Sequence, residues 1–169
     1  MNKLVVLAGV IGVVAVAQGA AQSLSRRDNA ACALVTAAEL ESAIGGKVSG
    51  FNDAASAVPG DPDVCNGTAA NTTIQLRLIP QVNADYLSSW KKLGDLTVQM
   101  GGHVDQEPAG PISCRAMTPP PALAAASGFM TSCTVSKSPK LAVIEVSTKA
   151  ALVPIAKVRP LAVKMQSRF

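Results

Sequence analysis

The sequence predicts an α+β domain: a mainly antiparallel sheet with two or three helices packed on one face, stapled by disulfides. Three observations predict it. Short stretches of alternating apolar and polar residues recur, most clearly Ile74-Gln-Leu-Arg-Leu78, and period-two alternation marks a strand with one buried face. Helix-start signals at Thr36 and Asn83 precede apolar residues at i, i+3, i+4 spacing. All 4 cysteines lie beyond an export-like N-terminal segment, and an even count in an exported chain implies disulfides.

Residues 1–21 read as a signal peptide. Lys3 is the charged start, Leu4–Ala17 the apolar run, and Ala15-Val-Ala17 or Gly19-Ala-Ala21 the small-residue cleavage site. The run is shorter than the roughly 20 residues a membrane span needs, and no later stretch could span a membrane. With no cysteine at the cleavage region, the chain falls outside the lipid-anchored lipoproteins. Residues 22–31 are polar, with Arg26-Arg27-Asp28-Asn29, and read as a flexible leader. Residues 32–169 form a single domain, long enough for a real core.

The domain opens on a helix. Thr36 and Glu39 form a T-x-x-E capping box, and Val35 and Leu40 have the spacing of a hydrophobic staple. Leu40, Ala43 and Ile44 share a face, and Gly45 ends the helix. Glu39 is a capping carboxylate on this reading. A short strand over Lys47–Phe51 follows, then a loop over Asn52–Gly67 whose aspartates and prolines are turn residues. Thr72–Ile79 is the clearest strand, ended by Pro80. Asn83 caps a second helix running to Leu93, with Tyr86, Leu87, Trp90 and Leu93 as its buried stripe and Gly94 as its stop. Leu96–Met100 alternates and reads as a strand, and Gly101–Pro111 as a loop. Ile112–Met117 and Phe129–Ser136 are strands that bring Cys114 and Cys133 together if they pair antiparallel. Leu141–Thr148, apolar on both faces, is a central strand. Val153–Phe169 is helical in pattern, with Ile155, Val158, Leu161, Ala162 and Met165 as its stripe and Pro160 kinking or splitting it.

Four cysteines, Cys32, Cys65, Cys114 and Cys133, allow three connectivities. The local pairing, Cys32–Cys65 with Cys114–Cys133, is favoured because each bond then closes a short loop. A zinc site is disfavoured: no C-x-x-C pair exists and His103 is the only histidine. Asp53, Asp61 and Asp63 lack the further ligands of a calcium loop. The formal charge is +4, unevenly spread. Residues 22–111 hold six basic and ten acidic side chains; residues 112–169 hold eight basic ones and only Glu145. Lys157, Arg159, Lys164 and Arg168 lie mostly off the apolar stripe of the last helix and are the candidate contacts for an anionic surface. The bland alternative is that the two halves neutralise each other within one fold.

The catalytic inventory is thin. Ser89-Trp-Lys-Lys92 matches S-x-x-K, in which a lysine one helical turn from a serine takes its proton, but the companion K-T-G is absent. His103, near Asp105, is the only histidine, the residue type suited to general acid–base work, yet no serine sits in a nucleophile-elbow context. No P-loop, dinucleotide fingerprint or H-E-x-x-H motif is present, so no cofactor or metal is expected. The interleaved basic and aromatic residues of single-strand nucleic-acid binders are missing, so no nucleic-acid partner is expected either.

Cys32-Ala-Leu-Val-Thr-Ala-Ala-Glu-Leu-Glu-Ser-Ala-Ile-Gly45 resembles the opening of uncharacterised small exported bacterial proteins. Their mature domain starts with C-x-L-[LV]-T-x-x-E and a short helix, with a second cysteine some tens of residues on. The resemblance covers about a third of the chain. It implies a Cys32–Cys65 disulfide and an α+β sheet domain, and it brings no activity; Cys114, Cys133 and the triple proline depart from it. The expected function is therefore non-catalytic binding of an envelope protein or small ligand by a periplasmic or extracellular domain. The alternatives are a small secreted hydrolase using Ser89/Lys92 or His103, and a peripheral binder of anionic envelope polymers or lipids through the basic C-terminal half.

Overall fold

The computed structural model describes residues 30–53 and 61–169; the signal peptide and most of the leader lie outside these residues. Seven strands form one antiparallel sheet in the order β1-β2-β3-β7-β6-β5-β4. They are β1 Val48–Asp53, β2 Asp63–Ala69, β3 Thr72–Ile79, β4 His103–Gln106, β5 Ile112–Thr118, β6 Phe129–Lys137 and β7 Lys140–Thr148. The helices are α1 Ala30–Ala33, α2 Ala37–Ile44, α3 Ala84–Gln99, α4 Ala124–Ser127 and α5 Ile155–Arg168. The α+β class stands as expected.

The opening helix is built as its sequence dictates. Thr36 Oγ1 accepts from the Glu39 amide at 3.3 Å, and the Thr36 amide donates to Glu39 Oε2 at 2.9 Å. The staple residues Val35 and Leu40 are both fully buried. Ala31, in the turn of α1 just before Cys32, is also part of the core. Cys32 is bonded to Cys65 of β2, and Cys114 to Cys133 on directly opposed positions of β5 and β6. These are the two favoured pairings, and they match an oxidising, exported environment. Among the described residues, no helix is long and apolar enough to cross a membrane.

Period-two alternation gives the sheet two distinct faces. On one, Ile74 and Leu76 of β3, Ile144 and Val146 of β7 and Val135 of β6 pack with Leu40 of α2 and with Val158, Leu161, Ala162 and Met165 of α5. Pro160 does not split α5. It is exposed, so the backbone carbonyl it leaves unpaired one turn earlier can be met by water.

The second face carries α3, so the expectation of helices on a single face holds for α2 and α5 and fails for α3. Ile79, Leu141 and Val143 form a small separate cluster there with Val82, Tyr86 and Trp90. Topology explains the placement. The chain leaves β3 in mid-sheet and must reach β4 at the far edge, four inter-strand steps or roughly 19 Å away. Sixteen residues of helix span about 24 Å, and α2 and α5 already occupy the first face. The helix therefore runs through Gly94 and absorbs Leu96–Gln99, which the alternation pattern assigned to a strand. The loop readings were also too long: β2 occupies the end of Asn52–Gly67, and β4 lies inside Gly101–Pro111.

Candidate functional site

A polar row crosses the second face. Strand register places Asn52, Asn66, Gln75, Glu145, Ser132, Arg115 and Gln106 opposite one another in sequence across all seven strands. Gln75 Nε2 donates to Asn66 Oδ1 at 3.0 Å. Arg77, two residues further along β3 on the same face, pairs with Glu145 at 2.8 Å. Where α3 crosses this face, Trp90 lies over the charges: its ring centroid is 4.0 Å from the guanidinium carbon of Arg115 and 5.6 Å from that of Arg77. Both distances fall within cation–π range. Tyr86 completes the cluster, its ring 6.1 Å from Trp90.

Beside this cluster, α3, β4 and the sheet enclose a cleft of about 590 Å³. Leu87 and Val98 of α3, Val104 of β4 and Leu141 of β7 give it apolar walls, and Ser113, Ser132, Thr134 and Ser136 contribute hydroxyls. Arg115 lies at its inner wall and is only 9 % exposed. Burial pushes the Arg115 guanidinium down to about 10, against a weaker upward pull from Glu145 and then Tyr86; it remains a cation at neutral pH. Its Nη1 donates to the Trp90 carbonyl at 2.7 Å, and neither Nε nor Nη2 finds an acceptor. Among the described residues, every buried side-chain nitrogen or oxygen without a hydrogen-bond partner belongs to Arg77, Tyr86 or Arg115. Unmatched buried polar groups are uncommon in folded proteins, so their concentration around one tryptophan beside one cleft singles out this place.

The residues proposed from sequence fall elsewhere. Ser89 and Lys92 are exposed on α3 and line no part of the cleft; the Ser89 hydroxyl donates back to the Asp85 carbonyl at 2.8 Å. That arrangement provides no activated nucleophile. His103 and Asp105 sit 3.0 Å apart on the edge strand β4, with side chains 70 % and 63 % exposed, and among the described residues no hydrogen bond joins either to a serine. No group of His, Cys, Asp and Glu among the described residues could hold a metal ion. Arg159 pairs with Glu107, Lys164 with Glu39 at 2.9 Å, and Arg168 with Glu39 at 2.6 Å. Three of the four candidate surface cations are thus engaged within the fold, and Lys157 is exposed beside a shallow groove between α2 and α5.

The sequence reading missed Arg115. Its one signal was an arginine between Cys114 and Ala116 in a strand of otherwise uncharged residues. The Gly101–Pro111 segment does contribute, through Val104, Gln106, Ala109 and Gly110 of the cleft wall. No family model matches the chain, and no match to a curated protein is found.

Proposed function

We propose that this chain is an exported, non-catalytic binding domain that acts in the periplasm or outside the cell and takes a small polar ligand into the cleft between α3 and the sheet. The observation that carries the reading is the buried, incompletely paired Arg115 at the wall of a cleft lined by both hydroxyls and apolar residues. A few convergent polar groups in a largely apolar concavity are what fix a small molecule's orientation. The idle geometry of Ser89, Lys92 and His103 supports binding over hydrolysis. The basic face of α5 supports a polyanion-binding role less well, since Glu39 and Glu107 already hold three of its cations.

Thermal-shift screening of the purified domain against small polar compounds tests the reading. Ala109 lies exposed in the cleft wall, so Ala109→Trp blocks the mouth at little cost to folding. Ligands should raise the melting temperature of the wild type and leave that of the variant unchanged. Equal shifts in both proteins, or none in either, would remove the cleft as the binding site.

A further inference from the structure

Resting on that reading, we infer that the ligand carries a carboxylate, which Arg115 grips in bidentate fashion as α3 moves aside. The argument starts from which of the guanidinium donors are occupied. Nη1 is committed to the Trp90 carbonyl at 2.7 Å. Nε and Nη2, which share the side edge of the guanidinium, are unmatched. Two parallel N–H groups on that edge match the two oxygens of a planar carboxylate, a geometry that lysine cannot supply. Glu145 is the nearest protein carboxylate in the register, two strands away along the same row, but it is held by Arg77 at 2.8 Å. Asp95 lines the same cleft, yet among the described residues no acceptor meets either donor of this fork, and we assign that place to a ligand.

Nε and Nη2 have no accessible surface, and the Trp90 ring lies 4.0 Å over the guanidinium. A ligand therefore reaches the fork only when the groups packed around it shift, and Trp90, stacked on the face of the same guanidinium from α3, moves with them. The footprint of α3 suits such a shift. Its apolar anchors are Tyr86 and Trp90 on Ile79, Leu141 and Val143, with Thr97 buried near its C-terminus, while Leu87, Leu93, Leu96 and Val98 stay between 45 % and 56 % exposed. A helix that buries so little apolar surface is held weakly and moves at low cost. Leu87 and Val98, apolar groups of the same cleft wall, would then meet the ligand's non-polar body.

Trp90 is the only tryptophan, so its emission reports directly on the event. The test titrates the domain with acetate, succinate, hexanoate and phenylacetate, each beside its amide, and with inorganic phosphate. At least one carboxylate should give a saturable change in emission, with its amide and phosphate at least tenfold weaker. Arg115→Lys should weaken that carboxylate at least tenfold, while a melting temperature near wild type shows the fold intact. The comparison of acid with amide needs no variant, so it decides the matter even if Arg115→Lys does not fold. An amide that binds as well as its acid overturns the carboxylate and leaves the cleft reading standing. Phosphate binding in place of every carboxylate overturns the planar fork in favour of a tetrahedral anion. Silence from every probe overturns this inference alone, because the Ala109→Trp comparison judges the cleft independently.

Discussion

The Trp90 carbonyl accepts a hydrogen bond from Arg115 Nη1 at 2.7 Å while the indole of the same residue covers that guanidinium at 4.0 Å. One residue of α3 thus provides both a polar and an aromatic tie to the sheet. It is also one of few ties, since four large apolar side chains of α3 remain exposed.

Trp90→Ala should therefore release α3 without unfolding the sheet. Truncating this partly buried tryptophan is expected to cost about 2–3 kcal/mol, below the range for fully buried aromatics. In hydrogen exchange, amides of Ala84–Gln99 should lose protection while those of β3, β6 and β7 keep theirs. A uniform loss across the sheet would show that α3 is an integral part of the core.

The disulfides tie down different parts of the fold. Cys32–Cys65 spans 33 residues and fastens α1 to β2; Cys114–Cys133 spans 19 and links two strands already paired. The chain-entropy model assigns about 3–4 kcal/mol to the longer loop and about 3 kcal/mol to the shorter. Urea unfolding of the Cys32→Ala/Cys65→Ala and Cys114→Ala/Cys133→Ala pairs should show losses of that order. The first pair should also free the N-terminal edge of the domain, read as proteolysis near Ala31–Ala37.

What could be read from the sequence was local in origin. The strand Thr72–Ile79, the Thr36–Glu39 box and the α5 stripe depend on contacts within a few residues, and all appear where expected. The path of α3 depends on which strands β3 must be carried past, a long-range fact that no alternation pattern contains. Leu96-Thr-Val-Gln-Met100 alternates like a strand, yet it lies in and just beyond a helix that has to reach β4. The site was hidden for the same reason. Asn66, Gln75, Glu145, Ser132 and Arg115 come from five strands, with β3 and β7 paired across a long stretch of sequence, and they align only once register is known. Of the expected buried stripe Tyr86, Leu87, Trp90 and Leu93, only Tyr86 and Trp90 pack on the sheet while Leu87 and Leu93 are exposed, and nothing local says that an arginine lies beneath Trp90.

Two glycines at the ends of this unexpected helical stretch should respond in opposite ways. At Gly94, an added Cβ would lie 3.8 Å from Arg115 Nη1, an ordinary contact. Gly94→Ala should stabilise the protein by roughly 0.5–1 kcal/mol through helix propensity. At Gly102 the added Cβ would come within 2.6 Å of the Thr118 carbonyl and 2.9 Å of the Thr97 carbonyl. Both are backbone atoms of packed elements, so Gly102→Ala should cost about 1–3 kcal/mol. Chemical denaturation of the two variants checks the sign of each change.

Glu39 should set much of the acid sensitivity of the fold. Arg168 first, then the Thr36 amide and Lys164, hold its carboxyl well below the usual carboxylate range, and Arg168 is raised in turn. In the unfolded chain Glu39 titrates near about 4.3. Because the folded value is the lower one, the unfolded state binds more protons in this window. The stability contributed by Glu39 is present in full above the unfolded value and is lost as pH falls below it toward the folded one. The melting temperature of the wild type should therefore drop as pH is lowered from about 5 to about 2. Glu39→Gln should melt lower than wild type at pH 7, since it loses the ion pairs of Lys164 and Arg168 and weakens the cap. It should also show a shallower decline across the acid range. Equal slopes for the two proteins would place the acid-sensitive group elsewhere. High salt should narrow the pH 7 difference, because the Glu39 cluster lies at the protein surface where charges are screened.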